Sequence, residues 1–338
     1  MKLAVLALTC MFLIACDDPG GGDQPAPPKD GGTSKQTTTS YPTKTVTVVC
    51  PWSPGGGTDR VSRFWAGALQ KEFDNPFVVV NKTGGSGAVG HSAGATAKPD
   101  GHTILMGTFE LSTMHWMGIT DLTYENYTHL MQLNADAAAI IVKADAPWNS
   151  IADFIDHIKT NPDKVKMSGT ATGGAWDLAR AGMLNAAGVK VQSVIWVPTK
   201  GSAPAIVELL GGHVDAICCS VPEAQAQIDA GELKVLAVMS AERLPEYPDY
   251  ATVKESNIDW VAVGWRGLML PKETPPDVVQ ALLTKCDKIS SSNEFKDFMK
   301  KNNFNITIRG PKDFGDFLRQ QDAQWKTVIE AAGYAKKE

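Results

Sequence analysis

From residue 45 onward the chain alternates between short apolar, β-branched runs and longer stretches whose apolar residues recur every three or four positions. Thr45–Cys50 (TVTVVC) predicts a strand. The helix predicted over Arg60–Phe73 puts Val61, Phe64, Trp65, Ala68 and Leu69 on one face. Phe77–Val80 and Thr103–Met106 predict strands around a helix at Gly87–Ala97. Further strands are predicted at Ala138–Val142, Lys164–Ser168, Val194–Val197, Asp215–Cys219 and Lys234–Met239, and helices at Ile151–Lys159, Asp177–Ala187, Ala203–Leu210 and Pro222–Ala230. Helices at Pro276–Ser290, Asn293–Asn302 and Pro311–Ala332 close the chain. Alternation at this spacing implies an α/β fold, with parallel-dominated sheets flanked by helices and right-handed crossovers.

The 338 residues suffice for two such sheets. Ile258–Leu270 (IDWVAVGWRGLML) reads as sheet structure returning to the first domain. The expected division is therefore residues 44–132 plus 240–338 as domain 1 and 133–239 as domain 2. Two segments would cross between them, as in a hinged clamshell.

The N-terminus follows another pattern. MKLAVLALTCMFLIAC carries Lys2 and then an apolar run too short to span a bilayer, which predicts a secretory signal over residues 1–15. Leu13-Ile14-Ala15-Cys16 resembles the lipobox of bacterial lipoproteins, in which the cysteine carries the lipid. Residues 16–43 are rich in Gly, Pro, Ser and Thr and nearly devoid of apolar side chains, the composition of a flexible tether. A lipid-anchored extracytoplasmic protein is the expectation.

Charge and scattered chemistry narrow the function. A formal net charge of −5 with no Lys/Arg-rich run gives a nucleic-acid partner no electrostatic support. No C-x-x-C, H-E-x-x-H or paired histidine spacing marks a metal site, and no cofactor is expected. Cys50, Cys218, Cys219 and Cys286 fall at strand ends or in a helix, where buried thiols or a disulfide both fit. No G-x-S-x-G and no Cys/His pairing are visible, so capture is favoured over chemistry; an extracytoplasmic hydrolase and a sensor ectodomain are the rival classes.

The glycine-rich loops carry the site. In open parallel sheets ligands bind beyond the strand ends, where loops enter helix N-termini. PWSPGGGTD sits at such a place: Gly55, Gly56 and Gly57 turn main-chain N–H groups outward, and the helix start adds partial positive charge, which suits a carboxylate or phosphate. A Walker A loop would continue G-K-[ST], whereas Thr58-Asp59-Arg60 follow here, and Asp59 is best read as capping the helix. Gly85-x-Gly87-x-x-Gly90 with Glu110 downstream imitates a dinucleotide fingerprint, but Asn81-Lys82-Thr83 separate it from the strand. Close packing beside the first loop explains these glycines better. Ser168–Leu184 (SGTATGGAWDLARAGML) repeats the strand, glycine, helix order in domain 2, so that two helix starts would face each other as an anion grip.

At these residues the chain resembles the solute receptors of the tripartite tricarboxylate transporter family. PWSPGGGTD, VVVNKTGGSGAVG, KPDGHTILMGT, VPTKGSAPAIVELLGGHVDAI, GELKVLAVMSAERLPEYPDYATVKE and VGWRGLMLPKETPP match it in order. The resemblance implies a two-domain clamshell of the periplasmic-binding-protein kind, type II-like. It would close on a small carboxylate-bearing solute, an organic acid or amino acid. Delivery would be to a two-component membrane permease of large and small subunits, with the receptor a monomer. It also places ligand contacts at Trp52, Pro54, Gly55, Gly56, Gly57, Thr58 and Asp59, at Thr108 and Glu110, at Ser168, Thr170, Thr172, Gly173, Gly174 and Trp176, and at Lys200. Three positions depart from the family: Asp177 where His is frequent, Thr199 where Tyr is, and Glu110 where small hydroxyl residues are. With Trp52, Trp116 and Trp176 in nearby loops, one reading gives the ligand an amine paired with Glu110 or Asp177. The other turns both acids to solvent and makes the tryptophans core or rim.

Overall fold

The computed structural model describes residues 41–336. The signal segment, Cys16 and the tether up to residue 40 lie outside the described residues. Among those described, no helix is long and apolar enough to cross a membrane.

The β-branched run Val46–Cys50 (β1) is buried on both faces, and it lies parallel to Phe77–Asn81 (β2) and Thr103–Thr108 (β3). Helix Gly57–Phe73 (α1) and helix Ala88–Ala95 (α2) make the crossovers. The apolar stripe of α1, Val61, Trp65, Ala68 and Leu69, packs on this sheet with the later helices Pro276–Ser291 (α7) and Asn293–Lys301 (α8). The second group of strands is Val165–Ser168 (β5), Val194–Trp196 (β6) and Ala216–Ser220 (β7), also parallel. Around it lie Ile151–Thr160 (α3), Ala175–Ala186 (α4), Ser202–Leu210 (α5) and Val221–Asp229 (α6). Leu233–Val238 (β8) completes this half, and Pro311–Ala331 (α9) ends the fold.

Parallel pairing thus holds among the first three strands and among β5, β6 and β7, but β8 and the two strands that join the groups are antiparallel, so the sheet is mixed rather than parallel-dominated as expected. Val263–Pro271 (β9) pairs with β3 on one side and with Tyr127–Lys143 (β4) on the other. β4 is far longer than the strand predicted at Ala138–Val142. Its first part pairs with β9 and its second, from Ala138, with β7 and β8. The early part was hidden because Gln132, Asn134 and Asp136 are polar. Asn134 and Asp136 share one face, where Asn134 Nδ2 donates to Asp136; a register shift separates them from Gln132, whose side-chain amide donates to the Asn134 carbonyl.

The other boundaries lie close to expectation. Where β4 crosses, the returning segment laces to it: Met239 N–H donates to Ala138 O (2.6 Å), Ala138 N–H to Ala262 O (2.9 Å) and Ala262 N–H to Met239 O (3.0 Å). Cys50, Cys218, Cys219 and Cys286 are buried free thiols.

Candidate functional site

The two glycine loops open onto one crevice through helix starts of the same build. Gly55 and Gly173 have φ of +86° and +73°, a region L side chains rarely adopt. The N-cap residues that follow, Gly56 and Gly174, are extended at φ −73° and −76° and offer no side-chain cap. Three residues into each helix an aspartate reaches back: Gly55 N–H donates to Asp59 Oδ2 (3.0 Å) and Gly173 N–H to Asp177 Oδ2 (2.9 Å). Both carboxylates are thus turned to their own loops. Burial raises the Asp59 pKa, but Arg63, Gly55 N–H and Asn81 outweigh it and hold the carboxyl below its ordinary range.

The first N–H of each helix points across the crevice, and each finds a carboxylate of this chain. Gly57 N–H, opening α1, donates to Glu223 Oε1 at 3.1 Å; Ala175 N–H, opening α4, donates to Glu110 Oε1 at 2.9 Å. Each glutamate comes from the opposite group of strands. Glu223 Oε1 also accepts from Ser202 Oγ (3.0 Å) and Arg266 Nη2 (3.2 Å), while Oε2 accepts from Ser220 N–H and Oγ. Arg266 in turn donates to Asp136 Oδ2 (2.7 Å) and Thr58 Oγ1 (3.1 Å).

This accounts for the third glycine. A Cβ on Gly57 would sit 2.5 Å from Arg266 Nη2 and 2.7 Å from Glu223 Oε1, so the group that must approach this backbone is an internal ion pair. Asp136 is buried, which pushes its pKa up to about 6 against the pull of Arg266 and the Asn305 N–H.

Glu110 is held from its own side. Thr108 Oγ1 donates to its Oε2 and accepts from Trp52 Nε1 (3.2 Å). Thr108 N–H donates to His91 Nε2 (3.3 Å), and His91 Nδ1 meets Gly87 O at 2.8 Å. Burial lowers the His91 pKa to about 4, so the ring is neutral with its proton on Nδ1. The imitation dinucleotide loop therefore has a packing role. A Cβ on Gly90 would lie 2.5 Å from Pro51 Cα, and Gly87 stands against the Trp52 ring. Burial also raises the Glu110 pKa, opposed by the bonds from Thr108 and Ala175.

The crevice is narrow and opens to solvent between the two loops. Of the predicted contacts, Trp52, Gly56, Gly57, Thr58, Thr108, Glu110, Thr170 and Trp176 line it. The others do not. Pro54, Gly55, Thr172 and the Lys200 side chain are exposed, although Lys200 O accepts the Ser53 N–H at 3.1 Å. Asp59, Gly173 and Gly174 shape their turns, and Ser168 Oγ donates to Val197 O.

Asp177 is fully buried beside Arg180 and cannot serve a ligand amine. Glu110 is only 1% exposed, so neither acid faces solvent. Trp116 gives its indole N–H to Asp322 O, away from the crevice. Sequence reasoning missed Glu223, Trp265 and Arg266. The Ser-Val-Pro-Glu run at 220–223 reads locally as a capping box, and it is one.

A family model described as tripartite tricarboxylate transporter family receptor matches residues 61–334. The chain is 30% identical over 251 residues to the UPF0065 protein in the TAR-I ttuE-ttuC' intergenic region of Agrobacterium vitis, covering 73% of this chain and 71% of that one. The structure of periplasmic binding protein BugD is similar with a TM-score of 0.82 at 30% identity, over 88% of this chain and 100% of that one. That of R. palustris Rpa4515 with adipate has a TM-score of 0.81 at 26% identity, over 87% and 99%.

Proposed function

Since the chain belongs to the receptors of the tripartite tricarboxylate transporter family, we propose that it captures a small carboxylate-bearing solute in the crevice between its two groups of strands. One observation carries this reading: two glycine-capped helix starts converge on one cavity, which is lined by three tryptophans and few charges. The helix dipoles favour an anionic group there, and Trp265 Nε1 and Thr170 Oγ1, buried without partners, are free to donate to it. The adipate bound by the R. palustris relative is an acid of the same kind.

The receptor acts outside the cytoplasm and binds its solute without chemical change. It hands the solute to a membrane permease of large and small subunits, and Cys16 carries the lipid that keeps it at the membrane. Residues 44–132 with 240–338 form one lobe and 133–239 the other. The Ala138, Met239 and Ala262 ladder is the hinge about which they close. Trp52, Gly56, Gly57, Thr58, Thr108, Glu110, Thr170 and Trp176 are the proposed contacts.

A thermal-shift screen of the chain over organic acids and amino acids tests this. A ligand at a hundred times its Kd should add about 2.7 kcal/mol of stability, and native mass spectrometry should recover it unaltered. Absence of any stabilising acid, or recovery of a converted product, would overturn the reading.

A further inference from the structure

Glu110 differs from the other charged groups of the crevice. Arg266 is engaged by Asp136 and Glu223, each within 3.2 Å. Glu110 is buried, lines the cavity, and has no cation among the described residues within salt-bridge distance. Its partners are a hydroxyl and one main-chain N–H. A buried carboxylate without a counter-charge is costly, and a positively charged guest would remove that cost.

The two helix starts that could each hold a guest carboxylate already hold Glu223 and Glu110. A dicarboxylate would bring two further negative charges against two resident ones. Trp52 and Trp176 line the same crevice as Glu110, and an indole face is a surface on which an ammonium group packs favourably.

Other atoms call for an acceptor. Trp265 is 1% exposed and Thr170 4%; both line the crevice, and Trp265 Nε1 and Thr170 Oγ1 are buried without a hydrogen-bond partner. Ser53 Oγ, also at the crevice, is in the same condition. An indole N–H and two hydroxyls suit a carboxylate oxygen.

Resting on the reading of the crevice as the solute site, we propose that Glu110 sets its specificity: the guest is a zwitterion carrying one ammonium and one carboxylate, and dicarboxylates and tricarboxylates are refused. The ammonium sits at Glu110, in the crevice that Trp52 and Trp176 line. The carboxylate faces Trp265, Thr170 and Ser53. Glu223 reinforces the choice by keeping the α1 start occupied.

Calorimetry on the full chain decides it. The panel is the common α-amino acids, 4-aminobutanoate and 6-aminohexanoate, against succinate, adipate and citrate. The tightest binder should carry an ammonium group and should exceed every amine-free acid at least tenfold. Its N-acetyl derivative should bind at least a hundredfold more weakly. Glu110→Gln, whose amide oxygen can still accept the Ala175 N–H, should lose at least tenfold for the amine ligand and less than threefold for amine-free acids.

A wild-type preference for succinate, adipate or citrate would overturn the inference and leave the proposed receptor function standing. Failure of the entire panel to bind would overturn both. If the variant melts early, the wild-type ranking alone still decides.

Discussion

The starts of α1 and α4 share the pattern Gly-Gly-x-x-Asp, with a left-handed glycine, an extended glycine cap and an aspartate returning to the loop, yet their surroundings differ. At α1 the aspartate's basic partner, Arg63, is 53% exposed. At α4 the partner is Arg180, 1% exposed, which also donates to Val191 O and Tyr334 Oη and lies over the Trp196 ring. The first position of α1 is a glycine pressed by Arg266 and Glu223, while that of α4 is an alanine reached only by Glu110. Both jaws bury the aspartate, but its arginine partner is sealed inside the protein at α4 and left exposed at α1. Burial, not the pattern, sets what each charge is worth.

The largest expected difference follows from that burial. Arg180→Ala leaves Asp177 charged and enclosed, and breaking one side of a buried pair costs about 3–5 kcal/mol. Chemical denaturation should show the loss directly, with Asp177→Ala costing a similar amount. A double variant less destabilised than the sum of the two would show that the charges act on each other. A loss below about 1 kcal/mol for Arg180→Ala would mean that the pair is hydrated and the contrast between jaws is false.

Next is Gly57→Ala. In α4 an alanine holds the corresponding place without strain, so the substitution asks whether the Arg266–Glu223 pair makes the difference. The new Cβ must displace the guanidinium and the carboxylate, a form of overpacking that costs about 1–3 kcal/mol. Ligand affinity should fall at least tenfold, because the contacts from Glu223 and Arg266 join the two lobes. Wild-type affinity in the variant would show that the pair can move aside freely.

What was legible in the sequence follows the same division between local and distant. The glycine loops, the helix starts and nearly all strands are local patterns, and the structure has them within a few residues of expectation. Glu223, Asp136 and Arg266 were invisible as site residues because their partners lie far along the chain: Gly57 meets Glu223 and Asp136 meets Arg266 only after folding. Each also has a sufficient local reading, Glu223 in a capping box and Arg266 inside a strand. The same holds for the first part of β4, whose buried polar residues gave no apolar run to mark a strand. Asp177, which one of two readings offered as a partner for a ligand amine, is claimed by Arg180 one helical turn on.

The pH response should separate an acid whose pKa burial raises from one whose pKa its partners lower. Asp136 has a folded pKa of about 6, above its ordinary 3.8, so the native state binds the extra proton between these values. Stability from this group is therefore greatest at low pH and falls as pH rises from about 4 to about 6, by at most about 1.4 kcal/mol per pH unit. Asp59 has the opposite sign: its lowered pKa stabilises above the unfolded value, and that is lost as pH falls through the folded one. Asp136→Asn should gain stability relative to wild type as pH rises across that window. A difference between the two proteins that stays constant from pH 4 to 6.5 would contradict the raised pKa.

The smallest effect belongs to Arg63→Ala. Asp59 keeps its bonds to Gly55 N–H and Asn81 Nδ2 without Arg63, so the loop should retain its form. With the Arg63 guanidinium half-exposed, the pair contributes about 1 kcal/mol or less and is screened by salt. Melting temperatures of variant and wild type should therefore differ little at low ionic strength and converge in about 1 M salt. A loss approaching that of Arg180→Ala would mean that the arginine, and not the returning aspartate, holds the first jaw, and the two helix starts would then differ in mechanism as well as in depth.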